Sequence, residues 1–215
     1  MSESYTEQNR TQRMRERLLG KISIGPDGRE YYQGRPIIHR NTPVLGGVYL
    51  GASPREAIVV DPKKYKELNK LYENAKRRAM DSVKVNRGRI LKAVYDVVRE
   101  TMRPNEAKVN EIIQRLKAGD DRKITLDVFI REGVGVCRHH ALACTALLEL
   151  FKRDGYIRGT PRVERNSTEL GGHAWCRYTN SAGEVFILDS TLGFFGSPEE
   201  AKSRGIWQYK SPEDY

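Results

Sequence analysis

Three short stretches carry the reading: Gly133-Val-Gly-Val-Cys137-Arg-His-His-Ala141, then Gly171-Gly-His173-Ala-Trp175, then Ile187-Leu-Asp189-Ser-Thr191. Cys137 opens an apolar run that continues to Asp154 and stops at Gly155, the pattern of a helix with a glycine C-cap. His173 and Asp189 fall in two alternating segments, 173–179 and 184–190, joined by Asn180-Ser-Ala-Gly183, a strong turn signal. A Cys, a His and an Asp are the parts of a thiol nucleophile, its base and the group that orients the base. A helix N-terminus and a neighbouring imidazolium both lower a thiol's pKa, and the thiolate is the reactive form.

At about 100° per residue, Cys137, Ala141, Cys144, Leu148 and Phe151 fall in one core-facing stripe. Cys137 therefore sits at the first turn, where the helix dipole favours an anion and backbone N–H groups are free to hold an oxyanion. On the hairpin, a turn centred between Ser181 and Ala182 sets His173 opposite Ser190. A change of one residue in the turn sets His173 opposite Asp189. The helix is expected to pack on the face that carries His173. His140 lies about 60° from Cys137 and is within reach of the site, whereas His139, about 200° away, points elsewhere. Trp175 shares the face of His173 and is expected to line the site. Arg138 is a candidate for an anionic substrate group, though its default place is the surface. Cys144 and Cys176 read as core.

The chain has 215 residues, 38 % of them hydrophobic, and no stretch approaches the roughly 20 apolar residues of a membrane span. The N-terminus lacks the apolar core of an ordinary signal peptide, and three Cys argue against a disulfide framework. A cytoplasmic, reducing setting is expected, although a non-classical export signal would escape this reading. The net charge is +10, and residues 61–117 hold most of it, with 16 Lys and Arg against 8 Asp and Glu. Such a face attracts acidic partners, or serves only as a solvated helical surface.

Residues 1–20 read as a flexible N-terminus and 21–60 as a hairpin plus an irregular segment, with Gly25-Pro-Asp-Gly28 as the turn. Residues 61–120 read as a basic helical region of three helices. The first is expected to start at Asp61-Pro62 and run to about 80. The second covers 88–102, and the third covers 105–117 after the break at Pro104. Residues 121–196 form the expected core, and 197–215 a polar C-terminal tail. The fold class is α+β: a Cys-bearing helix packed on a small antiparallel sheet, preceded by the basic helices.

The segment 124–195 resembles the transglutaminase-like superfamily, with its papain-like Cys-His-Asp core. The resemblance rests on the Cys at a helix start after a Gly-containing loop, the Gly-Gly-His-Ala-Trp strand and the Asp-Ser-Thr strand. It implies Cys137 as nucleophile, His173 as general base and Asp189 as its orienter. It further implies a thioester formed with a peptide or side-chain amide and passed to water or to an amine. Hydrolysis is the expected branch, because transfer needs an amine site that excludes water, and no cofactor is implied. The sequence departs from classical members around the nucleophile, where Val136 and Arg138 flank the Cys in place of the usual nearby Trp.

Rival readings are weaker. A zinc site from Cys137, His139, His140, His173 and Cys176 lacks any Cys-x₂-Cys or His-x₃-His spacing, so no metal is expected. A nucleic-acid module lacks aromatic platforms interleaved with Arg, so nucleic acid is the less favoured partner. From another class stands a catalytically idle scaffold that keeps the fold and binds an acidic partner through the basic helices.

Overall fold

The structure is a computed structural model that describes residues 20–50, 56–81, 84–116, 123–168 and 171–211. The flexible N-terminus expected over 1–20 lies almost wholly outside the described residues. In chain order the elements are strands β1 (Ile22–Ile24), β2 (Glu30–Tyr32), β3 (Arg35–Pro36), β4 (Val48–Tyr49) and β5 (Ala57–Val59), then helix α1 (Glu67–Arg78). Strands β6 (Met80–Asp81) and β7 (Lys84–Val85), helix α2 (Ile90–Thr101), strand β8 (Arg103–Pro104), helix α3 (Glu106–Arg115), strand β9 (Lys123–Thr125) and helix α4 (Leu126–Glu132) follow. Strand β10 (Val134–Gly135) leads into helix α5 (Cys137–Arg153). Strands β11 (Thr160–Thr168), β12 (Gly171–Thr179), β13 (Val185–Asp189) and β14 (Phe194–Gly196) come next, then helix α6 (Pro198–Ser203).

The molecule is α+β. Strands β11 to β14 form one antiparallel sheet in sequence order, and α5 packs along it. Helices α1 and α2 pack on α5 from the other side, so α5 is the centre of the core. Its polar positions Arg138, His139, His140 and Thr145 are buried along with its apolar stripe. A helix enclosed on all sides does not need a wet face, and its polar side chains must find partners inside. Among the described residues, no helix is long and apolar enough to cross a membrane.

The first helix begins later than the Asp61-Pro62 signal predicts. Asp61 is already engaged, by the guanidinium of Arg35 at 2.8 Å and by the N–H of Lys63 at 3.1 Å. The opening N–H groups of α1 are capped instead by Asp127, which accepts from Glu67 at 2.6 Å and from Leu68 at 3.3 Å. A carboxylate at a helix N-terminus satisfies orphan donors and meets the positive end of the dipole wherever it comes from in sequence.

The β12–β13 hairpin also corrects an expectation. Its loop is three residues, Ser181 to Gly183, with Gly183 in the left-handed region at φ 86° and the N–H of Asn180 donating to the carbonyl of Glu184 at 2.9 Å. This loop pairs Cys176 with Leu188 and Arg177 with Ile187. By extension Asp189 stands across from Trp175, and His173 is its diagonal neighbour on the same face, within reach of long side chains.

The helix packs on the opposite face from the one expected. Ala174, Cys176, Tyr178 and Leu188 join the core around α5, whereas Trp175 and Ile187 belong to a separate cluster with Phe194 and Tyr209. Burying the small Ala174 and Cys176 under the helix leaves the larger, polar-tipped side chains for the outer face. Cys137 still meets His173 because it is the first residue of α5, at the end of the sheet.

Candidate active site

The approach to Cys137 is built by backbone pairing. Gly133, at φ 69°, ends α4, and β10 then pairs with β8 in parallel. A Cβ at Gly135 would lie 2.8 Å from Met102 and 3.0 Å from both His139 and His140. A side chain there would have to displace the tip of Met102 and press on both imidazoles, so the space is tight where the chain turns into α5. Val136 is the extended N-cap residue, and its N–H donates to Nδ1 of His139 at 3.1 Å. His139 thus does what a Glu or Gln does in a capping box.

Behind the first turn lies a buried charge cluster. Arg138 forks onto Glu56, with Nη2 at 2.7 and 3.0 Å from the two carboxylate oxygens and Nε at 3.0 Å. Nε2 of His139 is 2.8 Å from Oε1 of the same carboxylate. With Nδ1 accepting, Nε2 carries the proton and His139 is neutral; burial holds its pKa down at about 4 against the pull of Glu56. Burial raises the carboxyl of Glu56, but His139 and Arg138 outweigh it and hold the group below its ordinary value.

The three nominated residues meet. The thiol of Cys137 is under the influence of His173 and of the backbone N–H of Ala174, both of which favour its charged form. Nε2 of His173 is 2.5 Å from Oδ2 of Asp189, which leaves Nδ1 for the sulfur. Oδ1 of Asp189 accepts from the N–H groups of Thr191 at 3.1 Å and Leu192 at 3.0 Å. Burial works against both ions of the Cys–His pair, yet their mutual contact prevails. The thiol of Cys137 is lowered by His173, with help from Ala174 and Arg138. Burial lowers His173, but Asp189 and Cys137 lift it to about 9. The arrangement favours a thiolate beside an imidazolium, the charged pair in which a thiol is most reactive.

The other nominated residues divide. Trp175 lies along His173, ring centroids 6.2 Å apart at 24°. Its side chain is buried against Tyr209 and forms a wall under the imidazole rather than an open lining. His140 does not reach the thiol; it is 1 % exposed, and its Nδ1 is 2.8 Å from Oγ of Ser190. Arg138 is not a surface residue, since its fork is spent on Glu56. Cys144 and Cys176 are buried, with thiols pushed up by burial, Cys176 to about 12. The five zinc-ligand types do not converge, because His139 and His140 turn to Glu56 and Ser190.

Sequence reasoning missed the residues that come from far along the chain. Glu56 carries no local signal. Trp207 and Tyr209 do, as aromatics in an otherwise polar tail. The tail returns to the outer face of the sheet, where Tyr209 donates to Oδ2 of Asp189 at 2.8 Å and the ring of Trp207 lies 4.9 Å from that of His173.

No protein-family model matches the chain, and comparison with curated proteins finds no similar sequence. Among solved structures, the chain is similar to a candidate cysteine protease from Cytophaga hutchinsonii, at 17 % identity and a TM-score of 0.39. That likeness covers 64 % of this chain and 41 % of the other, less than half the length of the solved chain.

Proposed function

We propose that the chain is a thiol-dependent hydrolase of peptide or side-chain amides, with acyl transfer to an amine as the alternative fate of the same intermediate. The observation that carries this is the contact of Cys137 with a His173 that Asp189 holds by its far nitrogen. Cys137 sulfur adds to the amide carbonyl, and the oxyanion is held by N–H groups at the start of α5. The N–H groups of His139 and His140 are spent on the carbonyl of Val136, at 2.8 and 3.2 Å. Those of Cys137 and Arg138 have no intrahelical acceptor and are the candidate donors. As the tetrahedral adduct collapses, the C–N bond breaks and His173 gives its proton to the leaving amine. The thioester remains on Cys137. Water then attacks with His173 as base, the C–S bond breaks, the acid leaves, and the proton returns to the imidazole.

The test is capture of the intermediate. Incubation with glutamine-containing and backbone-amide peptides, quenched in acid, should leave an acyl mass on Cys137 that hydroxylamine removes. Cys137→Ala should carry none and release no ammonia or peptide fragment. A panel of such amides giving neither adduct nor turnover, with the protein folded, would count against an enzyme.

A further inference from the structure

Asp189 holds four donors. Two are backbone N–H groups on Oδ1, and Oδ2 is shared between His173 at 2.5 Å and the phenol of Tyr209 at 2.8 Å. Tyr209 is 3 % exposed, packed edge-on against Trp175 at 5.2 Å and stacked on Phe194 at 5.4 Å. The segment that carries it is tied down by Asn166, the β11 residue opposite His173. The side-chain amide of Asn166 donates to the carbonyl of Gln208 at 2.6 Å and accepts from the indole of Trp207 at 2.8 Å.

We infer that Tyr209 is a positioning residue for the Cys137–His173–Asp189 site, delivered by the 206–211 segment as an integral part of it. The inference rests on the triad reading proposed above. Tyr209 fixes the carboxylate's orientation and takes up part of its negative charge. Without it the carboxylate would lean on the imidazolium alone, and His173 would keep its proton more strongly. An imidazolium that is too weak an acid is slow to protonate a leaving amine, so the phenol keeps the base poised. Burial and Asp189 both push the Tyr209 phenol above its ordinary value, so it stays a donor throughout.

The other groups around this centre are accounted for. Cys137 faces His173 from α5, with Arg138 acting on the thiol. His140 and Cys144 approach Asp189 from the helix side of the sheet, and Tyr95 is the further titratable neighbour of Tyr209. None of them donates to Oδ2.

The chain has four His, so labelled imidazoles can be followed singly by NMR. In the wild type, His173 should titrate near 9. In Tyr209→Phe, which keeps the ring and its packing, the midpoint should rise by about half a pH unit. Asn166→Ala, which unties the segment without touching the triad, should move it the same way. A purely structural role would lower the melting temperature and leave the midpoint alone. An elevated wild-type midpoint that Tyr209→Phe leaves unchanged or lowers would overturn this inference alone. A wild-type midpoint near 6.5 would overturn the triad reading, and this one with it.

Discussion

His139 and His140 are adjacent on α5, both buried, and both held down to about 4 from an ordinary 6.5. Burial is the first cause in each case. For His139 the charge of Arg138 adds to it, and for His140 the neighbouring His139 does. Below pH 6.5 the unfolded chain takes up protons that these folded side chains refuse. Their contribution to stability is therefore complete above 6.5 and lost as pH falls toward 4. Each shift is worth about 3 kcal/mol over that window. Glu149 and Asp127, whose carboxyls burial raises, offset part of it, because their folded forms bind protons more readily. The urea midpoint should therefore fall steadily between pH 6.5 and 4.5. A midpoint that is flat across that range would mean these imidazoles are not buried as neutral groups.

At the scale of elements, the start of α5 is held by long-range partners. The Glu56 side chain is fully buried and Arg138 nearly so, at 0 % and 8 % exposure. Replacing one member of a buried pair strands the other's charge, which costs about 3–5 kcal/mol. The Arg78–Glu100 pair is exposed at 39 % and 58 %, where such pairs are worth below about 1 kcal/mol. Chemical denaturation of Glu56→Gln and Glu100→Gln should show a large loss for the first and little for the second. Equal losses would remove Glu56 as the anchor of the start of α5.

The same contrast explains what the sequence could disclose. Periods and punctuation are local, so the spans of α2, α3, α5 and the β12–β13 hairpin were legible from Pro104, Gly155 and the 180–183 turn. That Cys137, His173 and Asp189 come together was legible because each sits at or near the start or end of such an element. The loop length was not, because it depends on Gly183 taking φ 86° and adding one residue to the turn. The start of α1 was hidden because Arg35 had claimed Asp61. The packing face of α5 was hidden because alternation says that two faces differ, not which one meets the helix.

At the scale of the whole molecule, the basic region packs on the helix that Cys137 opens. Part of the basic region's positive charge is paired in place, Lys70 with Glu67, Lys92 with Asp96, Lys108 with Glu111 and Arg115 with Glu132. These pairs are solvent-accessible, and an acidic partner there is a proposal separate from catalysis. At the start of α5, helix, sheet and returning tail bring one thiol to one imidazole. The most direct measurement is the pH dependence of iodoacetamide alkylation, located by mass spectrometry, in wild type and His173→Ala. Cys144 and Cys176, buried and with raised pKa values, should stay unmodified in the native protein. Cys137 should already react fast near pH ~6 in the wild type, because its thiolate is held by the imidazolium, and that rate should collapse in His173→Ala. An ordinary midpoint near pH ~8.5, the same in both proteins, would contradict the paired thiolate.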